Sequence, residues 1–355
     1  MSRSLAIYVA VLPAYRRECI SLLRELEPGL RIFCSDAHLD KSVRTGIETD
    51  NYTEVPMLRL GRAGFIQFGH WIDALAADDL IVDLNPRSAT AWALLVLRRL
   101  SRKRRTVVWG HLYPQRGGDA ATGFLRRIMR RLSSGTVAYT YSDGQRAKID
   151  FPKKPVWVAA NSLYRQSDIS LPLSTSPRDA FIYVGRFEAA KKVHLAISAF
   201  ARSGLVEKGA RLVLIGGGSE EQRLRDLAVE EGVEGATHFR GWQGEFPQLR
   251  REYERAIAAL SPGFAGLGLT QSLGFGVPVL VSKVEPHSPE IELTLTGGVE
   301  WFTTDDPDSL SSAMRRAWDS RETVPRNRLR DYIHDNYSAE AMASGLQAAL
   351  RNGQQ

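Results

Sequence analysis

The chain has 355 residues, 43% hydrophobic and 25% charged, the make-up of a globular protein long enough for two domains of average size rather than a single core. Two cysteines, Cys19 and Cys34, are too few for a disulfide framework or a cysteine metal cluster, and no run approaches the roughly 20 apolar residues that a membrane-spanning helix needs. The formal net charge is +7, which directs attention to anionic partners.

Strand-like and helix-like segments alternate from the start, the pattern that builds parallel sheets covered by helices. Residues 5–12 read as a buried first strand rather than a leader, because Tyr15-Arg16-Arg17-Glu18 runs directly into an amphipathic helix and no small-residue cleavage site intervenes. A cytoplasmic location is the expectation. Further strands are expected at 80–84, 106–109, 136–140 and 156–159, with helices through 18–26, 89–100, 121–132 and 144–149. The excess positive charge sits in two places, Arg98-Arg99-Leu100-Ser101-Arg102-Lys103-Arg104-Arg105 and Arg126-Arg127-Ile128-Met129-Arg130-Arg131, each adjoining apolar helix. Such a face suits an anionic inner-leaflet membrane surface, each cation near the lipid contributing about 1 kcal/mol, and a solvated helix end is the competing reading. Nucleic acid is not expected as a partner, because no aromatic residues interleave with the charge and no recognition motif accompanies it.

A polar, proline-bearing run at 166–178 reads as a linker between a first domain at 1–165 and a second at 179–326. The second half is the more regular. Strands are expected at 181–184, 211–215, 237–240, 257–261, 279–282 and 298–302, alternating with helices beginning near Lys192, Glu220, Phe246, Gly268, Ser288 and Asp308. Residues 327–355 read as a terminal helix that crosses back to the first domain. Two Rossmann-like domains facing each other would bring both sets of strand C-terminal ends to one cleft, where ligands of such folds bind.

One stretch carries more chemistry than the rest. The apolar run Phe181-Ile182-Tyr183-Val184 stops at Gly185-Arg186 and is followed by Lys191-Lys192: a strand, a tight turn and a helix start with a planar cation and a point cation at its mouth. Glycine lets a ligand approach the backbone, Arg186 can fork onto two phosphate oxygens and Lys191 can neutralise a further group, so the arrangement suits a diphosphate. Taken alone, a βα turn with two surface cations fits equally well.

The second half taken together, Val184-Gly185-Arg186 with Lys191, then Leu214-Ile215-Gly216-Gly217-Gly218-Ser219-Glu220, His238-Phe239-Arg240-Gly241-Trp242, and Ser261-Pro262 through Gly276-Val277-Pro278-Val279, resembles in order and spacing the nucleotide-sugar domain of family 4 retaining glycosyltransferases, glycosyl transferases group 1. The resemblance covers residues 181–318 and implies an α/β fold of the GT-B type, two facing Rossmann-like domains with a cleft between them. It implies that Arg186 and Lys191 hold the donor diphosphate and stabilise the leaving group, and that Gly185 and the Gly266-Leu267-Gly268 helix start bring backbone close to the donor; Gly217 would leave space for a nucleoside or sugar, against a plain βα turn, and no metal or other cofactor is expected. Scattered histidines without ligand spacing agree with the last point. In the first half, Leu84-Asn85-Pro86-Arg87 and Trp109-Gly110-His111 each end a strand. His111 matches a histidine placed near the reacting sugar, against the alternative of a core histidine, and Asn85 and Arg87 would lie on the acceptor side, Arg87 either on an acceptor phosphate or paired with a nearby acid.

Three departures accompany the match. The family commonly carries two glutamates separated by seven residues, and those places hold Gly263 and Gln271; the Gln271 amide can still accept a hydrogen bond from a ribose, without charge assistance. Glu290 and Glu292 follow the next strand and read either as a carboxylate supplied to the donor or as a solvated helix start. The glycine-rich first loop of the family is replaced by Pro13-Ala14-Tyr15-Arg16. The expected activity is transfer of a sugar from a nucleotide sugar to a saccharide acceptor, lipid-linked and destined for cell-surface polysaccharide, with retention of configuration. A catalytically silent binding protein, or a hydrolase or epimerase on the same fold, is the alternative that the altered acidic motif leaves open.

Overall fold

The computed structural model describes residues 3–39, 43–61, 64–101, 103–113, 120–171, 177–243 and 246–352. The chain divides into two units, residues 1–165 with 336–355, and residues 166–335. Arg102 of the first basic cluster and residues 172–176 of the expected linker lie outside the described residues.

The first unit is built on a sheet of seven parallel strands in the order β3-β2-β1-β6-β7-β8-β9. These are β1 (Leu5–Tyr8), β2 (Arg31–Cys34), β3 (Thr53–Glu54), β6 (Asp79–Asp83), β7 (Arg105–Gly110), β8 (Gly135–Ala138) and β9 (Val156–Val158), with a separate antiparallel hairpin of β4 (Met57–Leu60) and β5 (Gly64–Gln67). The central strands read as unbroken apolar runs because both faces are covered: all four residues of β1 are buried. One face takes Cys19, Ile20 and Leu23 of α1 (Arg17–Leu26). The other takes Ala74 of α2 (Trp71–Ala76), Leu94 and Leu95 of α3 (Ala89–Arg98), Met129 of α4 (Ala120–Leu132) and Ala147 of α5 (Tyr141–Asp150). Serine and threonine open two of these helices: Ser88 Oγ accepts from Ala91 N at 3.1 Å, and Thr140 Oγ1 from Asp143 N at 3.0 Å.

The second unit has six parallel strands in the order β12-β11-β10-β13-β14-β15. They are β10 (Ala180–Val184), β11 (Arg211–Ile215), β12 (Thr237–Phe239), β13 (Ala256–Ser261), β14 (Val279–Ser282) and β15 (Val299–Phe302). On one face lie α6 (His194–Ser203), α7 (Glu221–Glu230) and α10 (Pro307–Asp319), contributing Phe200, Leu224 and Met314 to the core; α8 (Phe246–Glu254), α9 (Gly268–Gly274) and α11 (Arg326–Asn336) complete the unit. Every strand and helix expected in this half is present to within two residues, except that the helix expected near Ser288 is a 3-10 turn, Pro289–Thr296.

The terminal segment is two helices rather than one. Tyr337 is buried and Ser338 stops α11 and caps α12 (Ala339–Arg351), its hydroxyl accepting from Ala341 N at 3.2 Å. Helix α12 belongs to the first unit, where Met342, Leu346 and Leu350 join the α1 face of the core and Arg351 pairs with the buried Glu27, whose carboxyl is held below its usual range by that bond. In both units the first strand in sequence has later partners on opposite sides, β2 and β6 about β1, β11 and β13 about β10. The chain reverses its winding there, and at such switch points the loops beyond the strand C-termini splay apart and leave a crevice.

Candidate functional site

In the second unit the crevice beyond β10 and β13 collects the predicted donor residues. Three glycines set its frame. A Cβ on Gly216, at φ +143°, would stand 1.8 Å from Gly185 O, and one on Gly218 would stand 2.4 Å from Phe187 O, so the turns after β10 and β11 touch backbone to backbone; Phe187 N donates to Gly217 O at 2.8 Å between them. Gly263, after β13, is packed just as closely, its missing Cβ 2.4 Å from Ala190 O. The site where the family pattern has its first glutamate therefore has no room for any side chain, because the 3-10 turn Ala189–Lys191 occupies that space.

That turn presents Lys191. Its Nζ donates to Phe264 O at 3.1 Å and lies 4.6 Å from the Phe264 ring centroid. Burial and then the nearby positive charge of Arg186 hold its pKa below the ordinary lysine value, with Glu188 opposing. Arg186 is exposed and pairs with Glu188 at 2.9 Å. Two mutually repelling cations thus stand at the end of β10 with one carboxylate between them.

Gly266, Leu267 and Gly268 lead into α9, and Ser288 crosses beside Gly266, its backbone N donating to Ala265 O at 2.9 Å. His287 fastens the same two loops: its Nδ1 accepts from Ala265 N at 3.1 Å and its Nε2 donates to Ser282 O at 2.9 Å, which fixes the neutral Nε2–H tautomer, in line with a pKa lowered chiefly by burial. Glu290 is not a solvated helix start. It is buried, 4% exposed, and accepts from Ser288 Oγ, which leaves its carboxylate beside the Gly266 loop. Gln271 Oε1 accepts from Tyr253 OH at 3.3 Å, a packing contact that ties this amide to α8.

In the first unit the crevice beyond β1 and β6 is a cavity of about 350 Å³ lined by Tyr15, Arg16, Asp83, Asn85, Trp109 and His111, among others. His111 stands edge-on to the Tyr139 ring at 4.8 Å, and burial, followed by the charges of Arg126 and Arg16, pushes its pKa down to about 4, so it is neutral at pH 7. Asp83, the last residue of β6, is pushed up to about 6 by burial despite accepting a bond from Ala10 N. Asn85 is at the rim: its side-chain oxygen accepts from Arg87 N at 3.0 Å and its amide meets His38 Nε2 at 3.3 Å. Arg87 is exposed and does not line this cavity, and among the described residues no carboxylate lies within ion-pair distance of it. The motifs pointed to Asn85 and His111. They did not point to Arg16, Asp83 or Tyr139; a charged residue ending a buried strand was the available signal for Asp83.

The basic clusters divide into inner and outer charges. Arg98 is 2% exposed and donates to the carbonyls of Ala74, Leu75, Ala77, Asp78 and Arg105 and to Thr106 Oγ1, and Arg130 is buried against Asp150 at 2.9 Å. Neither belongs to a surface face, which corrects the sequence reading of these runs; an arginine at the end of an apolar helix was counted as solvated when its guanidinium turns inward to satisfy a loop's carbonyls. What remains outside is Arg99, Lys103, Arg104, Arg127 and Arg131 around exposed Leu97, Leu100 and Phe124. Among the described residues no helix is long and apolar enough to cross a membrane.

Comparison with known proteins agrees with this geometry. Residues 172–336 match the family model described as glycosyl transferases group 1. The lipopolysaccharide core biosynthesis glycosyltransferase LpsE of Rhizobium meliloti is 29% identical over 137 residues, 38% of this chain and 36% of LpsE, so the match spans only about a third of that relative. HepE of Anabaena, solved in complex with UDP, superposes with a TM-score of 0.65 at 12% identity over 98% of this chain and 100% of that one. The lipopolysaccharide outer core galactosyltransferase WaaB, in its apo form, gives 0.64 at 15% identity over 98% and 99%. The chain thus carries a glycosyl transferases group 1 domain in its second unit, and its two α/β units together have the GT-B fold.

Proposed function

We propose that the protein transfers a sugar from a nucleotide-sugar donor to a saccharide acceptor, with retention of configuration and without a metal ion. The observation that carries the reading is the pair Arg186 and Lys191, two cations close enough to repel each other on a backbone frame that only glycine permits. A diphosphate relieves that repulsion. When the sugar–phosphate bond breaks, its electron pair goes to the phosphate oxygen, and fixed cations lower the energy of that charge most where water is excluded. The acceptor oxygen forms its bond to the sugar on the same face and its proton passes to the leaving phosphate, so the chain supplies charge and position rather than a base. Neutral His111 is the residue assigned to the reacting sugar, and Glu290, Gly217 and the 266–268 loop are assigned to the donor.

The relatives and the surface lend support to the finer features. HepE is solved with UDP and with UDP-glucose, which favours a uridine donor. LpsE and WaaB are named for the lipopolysaccharide core, which favours a lipid-linked acceptor and cell-surface polysaccharide assembly in the cytoplasm at the inner leaflet. The exposed cations and apolar residues of α3 and α4 support docking on that surface. A second reading, donor binding without transfer, is favoured by the closed Gly263 position and by Gln271. The two part on one assay: calorimetric titration with nucleoside diphosphates and their sugars, then turnover with lipid-linked saccharide. Binding with turnover supports transfer, binding without turnover on any acceptor supports the silent reading, and no binding contradicts both.

A further inference from the structure

The pocket of the first unit holds a charge that neither the fold nor the proposed chemistry uses. Arg16 stands in the loop after β1, 6% exposed. Its guanidinium lies 4.3 Å from the Trp109 ring centroid and 5.2 Å from that of Tyr139. Nη2 donates to Tyr139 OH at 2.8 Å and to Asn161 Oδ1 at 3.3 Å. Among the described residues Nε is buried without an acceptor, Nη1 has none, and no carboxylate lies within 4 Å of the group. On the same wall the indole Nε1–H of Trp109 is a second buried donor without a partner among the described residues. A buried cation with no carboxylate in ion-pair contact and with Nε and Nη1 lacking acceptors is costly, on the order of several kcal/mol, so its retention in a cavity points to a ligand that brings charge and acceptors to that side of the group.

Such a ligand is acceptor-only and negatively charged. We propose that this pocket takes an oxyanion, a carboxylate or a phosphate, carried by the saccharide acceptor, with Arg16 as its principal partner and Trp109 and Arg126 beside it. The word acceptor rests on the transferase reading; the oxyanion site does not. A stacked guanidinium has a fixed plane and loses little freedom on forming bonds, which suits recognition of a planar or trigonal anion. Asp83 is the one carboxyl among the described residues of the lining, and its upward-shifted pKa reduces the opposition it offers. At about 350 Å³ the cavity lies at the small end of the range for small-molecule sites, about 300–1,000 Å³, and would hold one charged sugar residue rather than an oligosaccharide.

The test is calorimetry on the full chain with Arg186 and Lys191 both changed to alanine, which removes the diphosphate cations from the reading. Glucuronate, glucose 6-phosphate and glucose are compared. One of the charged sugars should bind at least roughly tenfold tighter than glucose, identifying carboxylate or phosphate, and Arg16→Gln should reduce that preference to below about twofold, with Arg16→Lys keeping part of it. Equal binding of all three sugars, or a preference that survives Arg16→Gln, would overturn the proposal. Should Arg16→Gln fail to fold, tungstate soaked into crystals of the unaltered protein decides instead: anomalous density at Arg16 supports the site, and density confined to the second unit refutes it. Nucleoside diphosphate binding to the unaltered chain, measured in parallel, reports separately on the transferase reading.

Discussion

The two units solve the same problem, a crevice at a switch point, with opposite materials. In the second unit the crevice is shaped by backbone, with Gly216, Gly218 and Gly263 pressed against neighbouring carbonyls, and its cations stand at the surface, Arg186 exposed and Lys191 half-buried. In the first unit the crevice is shaped by side chains, and its charges are sunk into the wall: Arg16 between aromatic rings, Asp83 at a strand end, His111 neutral. The contrast teaches that the second-unit crevice is moulded by backbone that cannot change residue without moving the chain, which suits the common donor group proposed for it, whereas the first-unit pocket is lined by side chains that can be exchanged in place.

The comparison breaks most visibly where a buried charge is structural. Arg98→Leu should destabilise the first unit by about 3–5 kcal/mol, because five carbonyls lose their donor, while leaving the melting of the second unit unchanged; scanning calorimetry that showed both units equally affected would argue against independent cores. Next in size, Gly263→Glu would not restore the family's acid. The new Cβ meets Ala190 O, so the turn bearing Lys191 must shift, with a stability loss of about 1–3 kcal/mol and weaker nucleoside diphosphate binding. Improved binding would show that the frame is softer than described.

Acid titration sharpens the contrast from the other side. The folded pKa of His111 is below its unfolded value, so between about 6.5 and 4 the unfolded chain binds a proton that the folded one does not, and stability falls as pH falls through that window. Asp83 is raised, so between about 6 and 3.8 the folded chain holds the extra proton and stability rises as pH falls. His111→Gln should therefore gain about 2 kcal/mol relative to the unaltered protein on going from pH 7 to pH 5, and Asp83→Asn should lose about 1 kcal/mol, measured by denaturant unfolding. Equal slopes for both variants would contradict the assignment of these shifts. An effect of similar size is expected on the outer face: Leu100→Glu with Phe124→Glu should weaken binding to anionic vesicles by about 1–2 kcal/mol at low salt and leave soluble-donor binding intact.

The second unit was nearly all legible in the sequence because glycine and cation positions at strand ends are local signals, and the strands, buried on both faces, read as apolar runs from Phe181 onward. The first unit was legible only in part. Strands β2 and β3 are short, with Arg31 and the exposed Thr53 and Glu54 masking them, and the β4–β5 hairpin turns Leu58 and Leu60 outward, against the usual pattern. Arg98 and Arg130 looked like surface charge since nothing in a linear sequence shows which carbonyls a long side chain will reach. Arg16 was invisible for a related reason: its meaning lies in Trp109 and Tyr139, about a hundred residues away along the chain.

The central claim is that the end of β10 binds the diphosphate of a sugar donor. The most direct measurement is the affinity of the full chain for a panel of nucleoside diphosphates, beside Arg186→Ala. The account predicts saturable binding of one nucleotide, weakened roughly 10- to 100-fold by the substitution through loss of one charge-assisted contact. Binding that Arg186→Ala leaves unchanged, or no binding across the panel, would contradict it.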